Sequence, residues 1–290
     1  MKYLFILIVP LFIMSCAAKK QTINTENNTS EVVSAETNIT ESTTIIEEPN
    51  SQNETVVESE EELIPLPPKP PKPLSNFKSI MHSRWNTILQ KHVSESGNVD
   101  YKGIKNESEF DVYIDYLSET LPDDTWTRDE KLAYWINAYN ALTVDLILRN
   151  YPVKSIKDIK DPWDQRLWQF GNKWQNLNDI EHKILREMNE PRIHFAIVCA
   201  SISCPKLQNE AFTASDLETQ LTNATKEFLK DSTKNELSES NIKLSKIFKW
   251  FKKDFEQDGD LIEFLNQYSD VTISSSAKKS FKDYNWNLND

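Results

Sequence analysis

The chain has 290 residues, with 33 Lys and Arg against 45 Asp and Glu, a formal net charge of −12 and only four Gly. An acidic balance of this size, with no basic run interleaved with aromatic residues in the folded part, argues against a nucleic-acid partner. Two Cys and one His in its central stretch, without a second cluster, fall short of a closed zinc site, so neither a metal nor another cofactor is expected.

Residues 1–15 open with Lys2 and an apolar run from Tyr3 to Met14. A membrane-spanning helix needs about 20 apolar residues, so this shorter run reads as a secretory signal. Ile13-Met14-Ser15-Cys16 resembles the lipobox of bacterial lipoproteins, in which the signal is cut before the cysteine and the cysteine is lipidated. The resemblance implies a mature chain anchored through Cys16 to the outer membrane or another envelope membrane, on its periplasmic or surface side. The alternative is ordinary signal cleavage near Ala17-Ala18, which gives a soluble secreted protein.

Residues 16–75 form the expected tether. From Ala17 to Ser75 there is no aromatic residue and no Gly, and eleven Glu stand against four Lys. Such a composition cannot bury enough apolar surface to offset the entropy of ordering, and disorder is expected. "IPLPPKPPKPL" at its end reads as a stiff polyproline II spacer. The folded part is expected over 76–290, which holds every Trp and His.

In "TRDEKLAYWINAYNALTVDLILRNYP", Thr127 is placed to cap a helix that stops before Pro152. Apolar residues fall on nearly every side between Leu132 and Leu148, the mark of a core helix. Asn137 and Asn140 lie three apart on one side of it. A buried amide needs partners, so these two either clamp a neighbouring loop or orient a site.

"KDPWDQRLWQFGNKWQNLNDIEHKILREMNEPR" predicts a hairpin turning at Gly171-Asn172 and a helix from Asn178. Asn178-x-x-Glu181 fits a capping pattern, while Glu181 also flanks the apolar stripe of Ile180, Ile184 and Met188. His182 is read as a surface residue.

"RIHFAIVCA" reads as a buried strand bounded by Pro191. Strand alternation then puts His194 and Cys199 on opposite faces, which makes Cys204, beyond the turn "ASIS", the better partner for His194. The cysteine pair is open to three readings: a disulfide or inert thiols, a catalytic thiol, or a binding loop shaped by Pro205. Farther on, "TASDLETQLTNATKEFLKD", "LSKIFKWFKKDF" and "DLIEFLNQYS" predict helices, and "NIKLS" a short strand. The fold class is α+β, a helix-rich single domain around a small sheet.

"YWINAYNALTV", "LNDIEHKILR", "PRIHFAIVCASISCPKLQNEAFTASDLETQL" and "IKLSKIFKWFKKDF" resemble, in order and spacing, the domain of unknown function 547 family, over about 85–268. The resemblance implies shared positions at Asn137, Asn140, Glu181, Arg186, His194, Cys199, Ser203 and Pro205. Plant-like members often carry Ser where Cys204 stands here. A helix followed by a histidine-bearing strand also looks, loosely, like the papain and transglutaminase arrangement, although the core helix here has no Cys.

Two functions follow as expectations. One is an envelope hydrolase or acyl-transfer enzyme, with His194 as base, Cys199 or Cys204 as nucleophile, Glu181 or Asn137 as the orienting group and amides of the Ala200–Cys204 loop as oxyanion donors. The other is a non-catalytic binding or scaffolding domain. Either implies a membrane partner through Cys16 and an unidentified small-molecule, peptide or envelope partner.

Overall fold

A computed structural model describes residues 80–290. The signal, Cys16 and the tether lie outside the described residues. Among the described residues no helix is long and apolar enough to cross a membrane.

Helix α4 (Arg128–Asn150) is the centre of the first core. Thr127 accepts from the Glu130 amide while Glu130 reaches back to the Thr127 amide, so two of the donors orphaned at the helix start are satisfied. Every side chain from Leu132 to Leu148 except Trp135 is buried, as the all-round apolar pattern predicts. Helices α1 (Ser83–His92), α2 (Tyr101–Ile104) and α3 (Ser108–Glu119) surround it. Trp85 of α1 stacks on Tyr113 of α3, their rings 5.8 Å apart.

Strands β1 (Trp168–Phe170) and β2 (Lys173–Gln175) form the predicted hairpin. Its turn needs a left-handed residue, which Gly171 supplies at φ +58°. Helix α5 (Leu177–Ile180) follows, capped by Asn176, whose side chain accepts from the Asp179 amide. The cap expected at Asn178 is therefore two residues early, and Glu181 has no capping role. The helix instead widens into one π turn at Glu181–Leu185 and tightens into a 3-10 turn at Arg186–Met188.

The second core gathers residues from α6 (Leu217–Lys230), β4 (Asn241–Leu244), α7 (Ile247–Trp250), α8 (Lys252–Phe255) and α9 (Leu261–Tyr268). Strand β4 pairs antiparallel with β3 (Glu236–Leu237) and parallel with β5 (Lys278–Phe281). The architecture is α+β, with small sheets among many short helices. The single helix expected over "LSKIFKWFKKDF" is two short ones, broken at Phe251.

The largest departure is "RIHFAIVCA". It is not a strand: Pro191–Phe195 is a 3-10 turn, and the chain beyond it is irregular. A short apolar run cannot distinguish a buried strand from another buried segment, and here the run is wedged between the two cores. Ile193, Ala196, Ile197 and Val198 pack into the first, and Phe195 into the second. Asn140 does the work of a neighbouring strand, since its side chain donates to the Ala196 carbonyl and accepts from the Val198 amide. Asn137 holds Phe212 in the same two-bond manner. The clamping reading of both amides is thus what the structure contains.

Candidate functional site

The irregular path of 193–204 brings His194, Cys199 and Cys204 to one cavity of about 330 Å³, which a regular strand would not have done. Glu181, His182 and Tyr139 line it as well, with Trp163, Trp250, Phe251, Tyr284 and Trp286 supplying aromatic wall. The parity rule drawn from a strand therefore fails. His182 is half-buried and part of this wall, not a surface residue. Asn137 does not line the cavity, and Asn140 acts on it from behind by fixing the backbone that leads to Cys199.

Cys199 is the most heavily supported group. Its sulfur lies 3.0 Å from Cys204 Sγ, 3.2 Å from Ser201 Oγ and 3.2 Å from Tyr284 Oη. Both cysteines are free. The Cys204 sulfur in turn accepts from the Cys199 amide at 2.9 Å. The pair is thereby unequal. Hydrogen bonding with Cys204, aided by Ser201 and Tyr284, outweighs burial and lowers the pKa of Cys199 below that of an ordinary thiol. Burial pushes Cys204 well above it, and the neighbouring Cys199 adds to the effect. Ala200, just after Cys199, has φ +54°, a left-handed conformation that costs a non-glycine residue energy and persists only where its surroundings enforce it.

Those surroundings include the C-terminal segment. Asn287 and Asn285 carbonyls accept from the Ile202 and Ser203 amides, and Ser203 Oγ accepts from the Asn285 amide. The same segment delivers Tyr284 and Trp286 to the cavity. The Cys204 amide donates to the Ser201 carbonyl. Three of the five loop amides expected as oxyanion donors are consequently occupied.

His194 is not a partner of either thiol. Its Nε2 lies 2.8 Å from Asp254 Oδ2, and its ring stacks on Phe251 at 3.9 Å between centroids. Arg186 grips Asp254 with two bonds, Nε to Oδ2 at 2.6 Å and Nη2 to Oδ1 at 2.7 Å, and reaches His182 Nδ1 at 2.8 Å. Burial alone would raise the pKa of Asp254, but the bonds from Arg186 and His194 outweigh it and hold the carboxyl well below the usual range. Burial lowers the pKa of His194, with Asp254 opposing. A neutral ring facing an ionised carboxylate carries its proton on Nε2, which leaves the lone pair on Nδ1.

Glu181 is the opposite case. It is 8% exposed, accepts from Tyr139 Oη at 3.0 Å, and burial pushes its pKa to about 7, against the lowering effects of Tyr139 and Arg186. Its carboxyl is a proton donor and acceptor near neutral pH.

Residues 124–229 match the family model described as "Protein of unknown function, DUF547". Within that span fall α4, the Glu181 turn, the whole His194–Cys204 run and all but the last residue of α6. The resemblance stated from the sequence is thereby shown, over a shorter stretch than the expected 85–268. Trp250, Phe251, Tyr284 and Trp286 of the cavity wall lie outside the DUF547 match, as does Asp254, the partner of His194. No curated protein and no solved structure matches the chain, and the loose likeness to papain and transglutaminase has no counterpart there.

Sequence reasoning missed Asp254, Tyr284 and Trp286. Asp254 sat inside a recognised motif as one more acid on a helix, and Tyr284 and Trp286 followed the last recognised element. The aromatic spacing of "YNWNLN" was the available signal.

Proposed function

We propose that this domain is a thiol-dependent hydrolase or acyl-transfer enzyme acting on an amide or ester, with Cys199 as nucleophile. The observation that carries the reading is the convergence of three hydrogen-bonding groups, from Cys204, Ser201 and Tyr284, on the Cys199 sulfur inside a cavity that also holds Glu181 and His194. Donors around a thiol favour the thiolate, the reactive form. In this reading Cys199 Sγ attacks the acyl carbon and a thioester forms as the bond to the leaving group breaks. Protonated Glu181 supplies the leaving group's proton. Water, deprotonated by His194 Nδ1, then releases the acid and returns the thiol. Asp254 and Arg186 are positioning residues, because they fix the tautomer of His194.

The test is intact-mass analysis after incubation with activated acyl esters. A covalent acyl group on Cys199 is expected in the wild type and in Cys204→Ser, and none in Cys199→Ala. A folded protein with a free Cys199 that takes up no acyl group from any such ester contradicts the reading.

The rival reading, a non-catalytic binding or scaffolding domain, draws on the aromatic wall, where Trp250 is 46% exposed and lies 4.8 Å from the Tyr284 ring. It predicts ligand binding that survives Cys199→Ala unchanged.

The domain is further proposed to hang from an envelope membrane by a lipid on Cys16 and an acidic, proline-ended tether. Incorporation of a labelled fatty acid that disappears in Cys16→Ala is the expected outcome, and an unlabelled, soluble chain contradicts it.

A further inference from the structure

We infer that Cys199 and Cys204 form a reversible dithiol–disulfide couple, with Cys199 the attacking and Cys204 the resolving sulfur, open at the cavity to thiol–disulfide exchange with small disulfides. The inference stands on the geometry of the two sulfurs and does not require the acyl-transfer reading.

Four observations support it. The sulfurs are 3.0 Å apart, so closing to a bonded length takes an approach of about 1 Å. The two differ in access: Cys199 is half-buried, while Cys204 is buried beneath it at 5% exposure. An incoming disulfide reaches the first sulfur, and the second is already in contact to resolve the product. The lowered pKa of Cys199 and the raised pKa of Cys204 run in the same sense. Finally, the connecting loop is held in shape by Asn285 and Asn287, with left-handed Ala200 at its bend, so the sulfurs meet without further ordering of the chain.

The exchange balances as follows. The Cys199 thiolate attacks one sulfur of an external disulfide RSSR. Its S–S bond breaks, one RS⁻ leaves and takes a proton, and Cys199–SR forms. Cys204 loses its proton and attacks Cys199 Sγ, the Cys199–SR bond breaks, and the second RS⁻ leaves. Two protein thiols and one RSSR give one protein disulfide and two RSH. In the oxidised state Cys199 has no free sulfur, so the couple also switches off any chemistry that needs it.

The experiment uses the detergent-solubilised full chain, equilibrated with reduced and oxidised glutathione in varied ratio, quenched in acid, alkylated and peptide-mapped. The wild type is expected to lose two hydrogens between Cys199 and Cys204 in one reversible transition. Cys204→Ser is expected to trap glutathione on Cys199, and Cys199→Ser to lose that adduct, with circular dichroism showing both variants folded. Two free thiols at every ratio overturn the inference, as does a bridge that excess reductant cannot open. A chain that titrates reversibly yet takes no acyl group keeps this inference and loses the proposed enzyme activity. A chain that does the reverse loses only the couple.

Discussion

Two carboxylates flank the same histidine–cysteine region and have been driven in opposite directions. Glu181, buried with the Tyr139 hydroxyl as its hydrogen-bond partner, is pushed up to about 7. Asp254, gripped by Arg186 and His194, is held far below the carboxylate range. Identical chemistry has become a proton carrier on one side and a fixed charge on the other, which is the separation that acid–base sites require. The difference also divides the region by role. Asp254 holds His194 by a hydrogen bond, and Glu181 keeps a carboxyl that titrates near neutral pH.

The largest effect is expected at the Cys199 sulfur, the proposed nucleophile. Cys199→Ala should abolish covalent labelling of the cavity by acyl esters, read by mass.

Next in size are the acids themselves, which should respond with opposite sign. Asp254→Asn leaves Arg186 without its partner and should cost about 3 kcal/mol of unfolding free energy, read by denaturant titration. Stability contributed by Asp254 is complete above its ordinary value of 3.8 and is lost as pH falls below it. Glu181 has a raised folded value, so the folded state keeps a proton that the unfolded chain has released. Its contribution therefore declines as pH rises from 4.5 to about 7. Glu181→Gln mimics the protonated acid and can still accept from Tyr139. It should flatten that decline and make the protein more stable than wild type above pH 7, by up to about 3 kcal/mol. Equal responses of the two variants to pH would dissolve the comparison.

A smaller effect is expected behind the site. Asn140→Ala strips two buried backbone partners at Ala196 and Val198 and should cost about 2 kcal/mol. It should also slow labelling of Cys199, because the backbone leading to it is no longer clamped. Smallest is Trp250→Ala. With the ring half-exposed, it should shift stability by about 0.5 kcal/mol or less while changing the fluorescence response to any ligand in the cavity.

How legible this was depended on the length scale of each signal. The core helix was readable because 23 residues repeat one apolar pattern between a capping box and a proline. The hairpin was readable because Gly171 punctuates it. "RIHFAIVCA" was not, because a nine-residue, mostly apolar run looks alike as a strand or as a wedge between two cores, and the feature that decides is Asn140, more than fifty positions away. The sequence did mark Asn140 as needing a partner but held no means of naming Ala196 and Val198. His194, Cys199, Cys204 and Glu181 were singled out and do share a cavity. Their pairings were missed, since a hydrogen bond from His194 to Asp254 across sixty residues has no local signature.

The reactivity proposed for Cys199 requires it to be the readier thiolate of the pair. The direct measurement is the rate of iodoacetamide alkylation at each cysteine as a function of pH, resolved by peptide mass on the reduced, folded protein. Cys199 should react first, with a midpoint below the ordinary thiol value of about 8.5. A midpoint at or above that value, or Cys204 reacting ahead of it, would contradict the account.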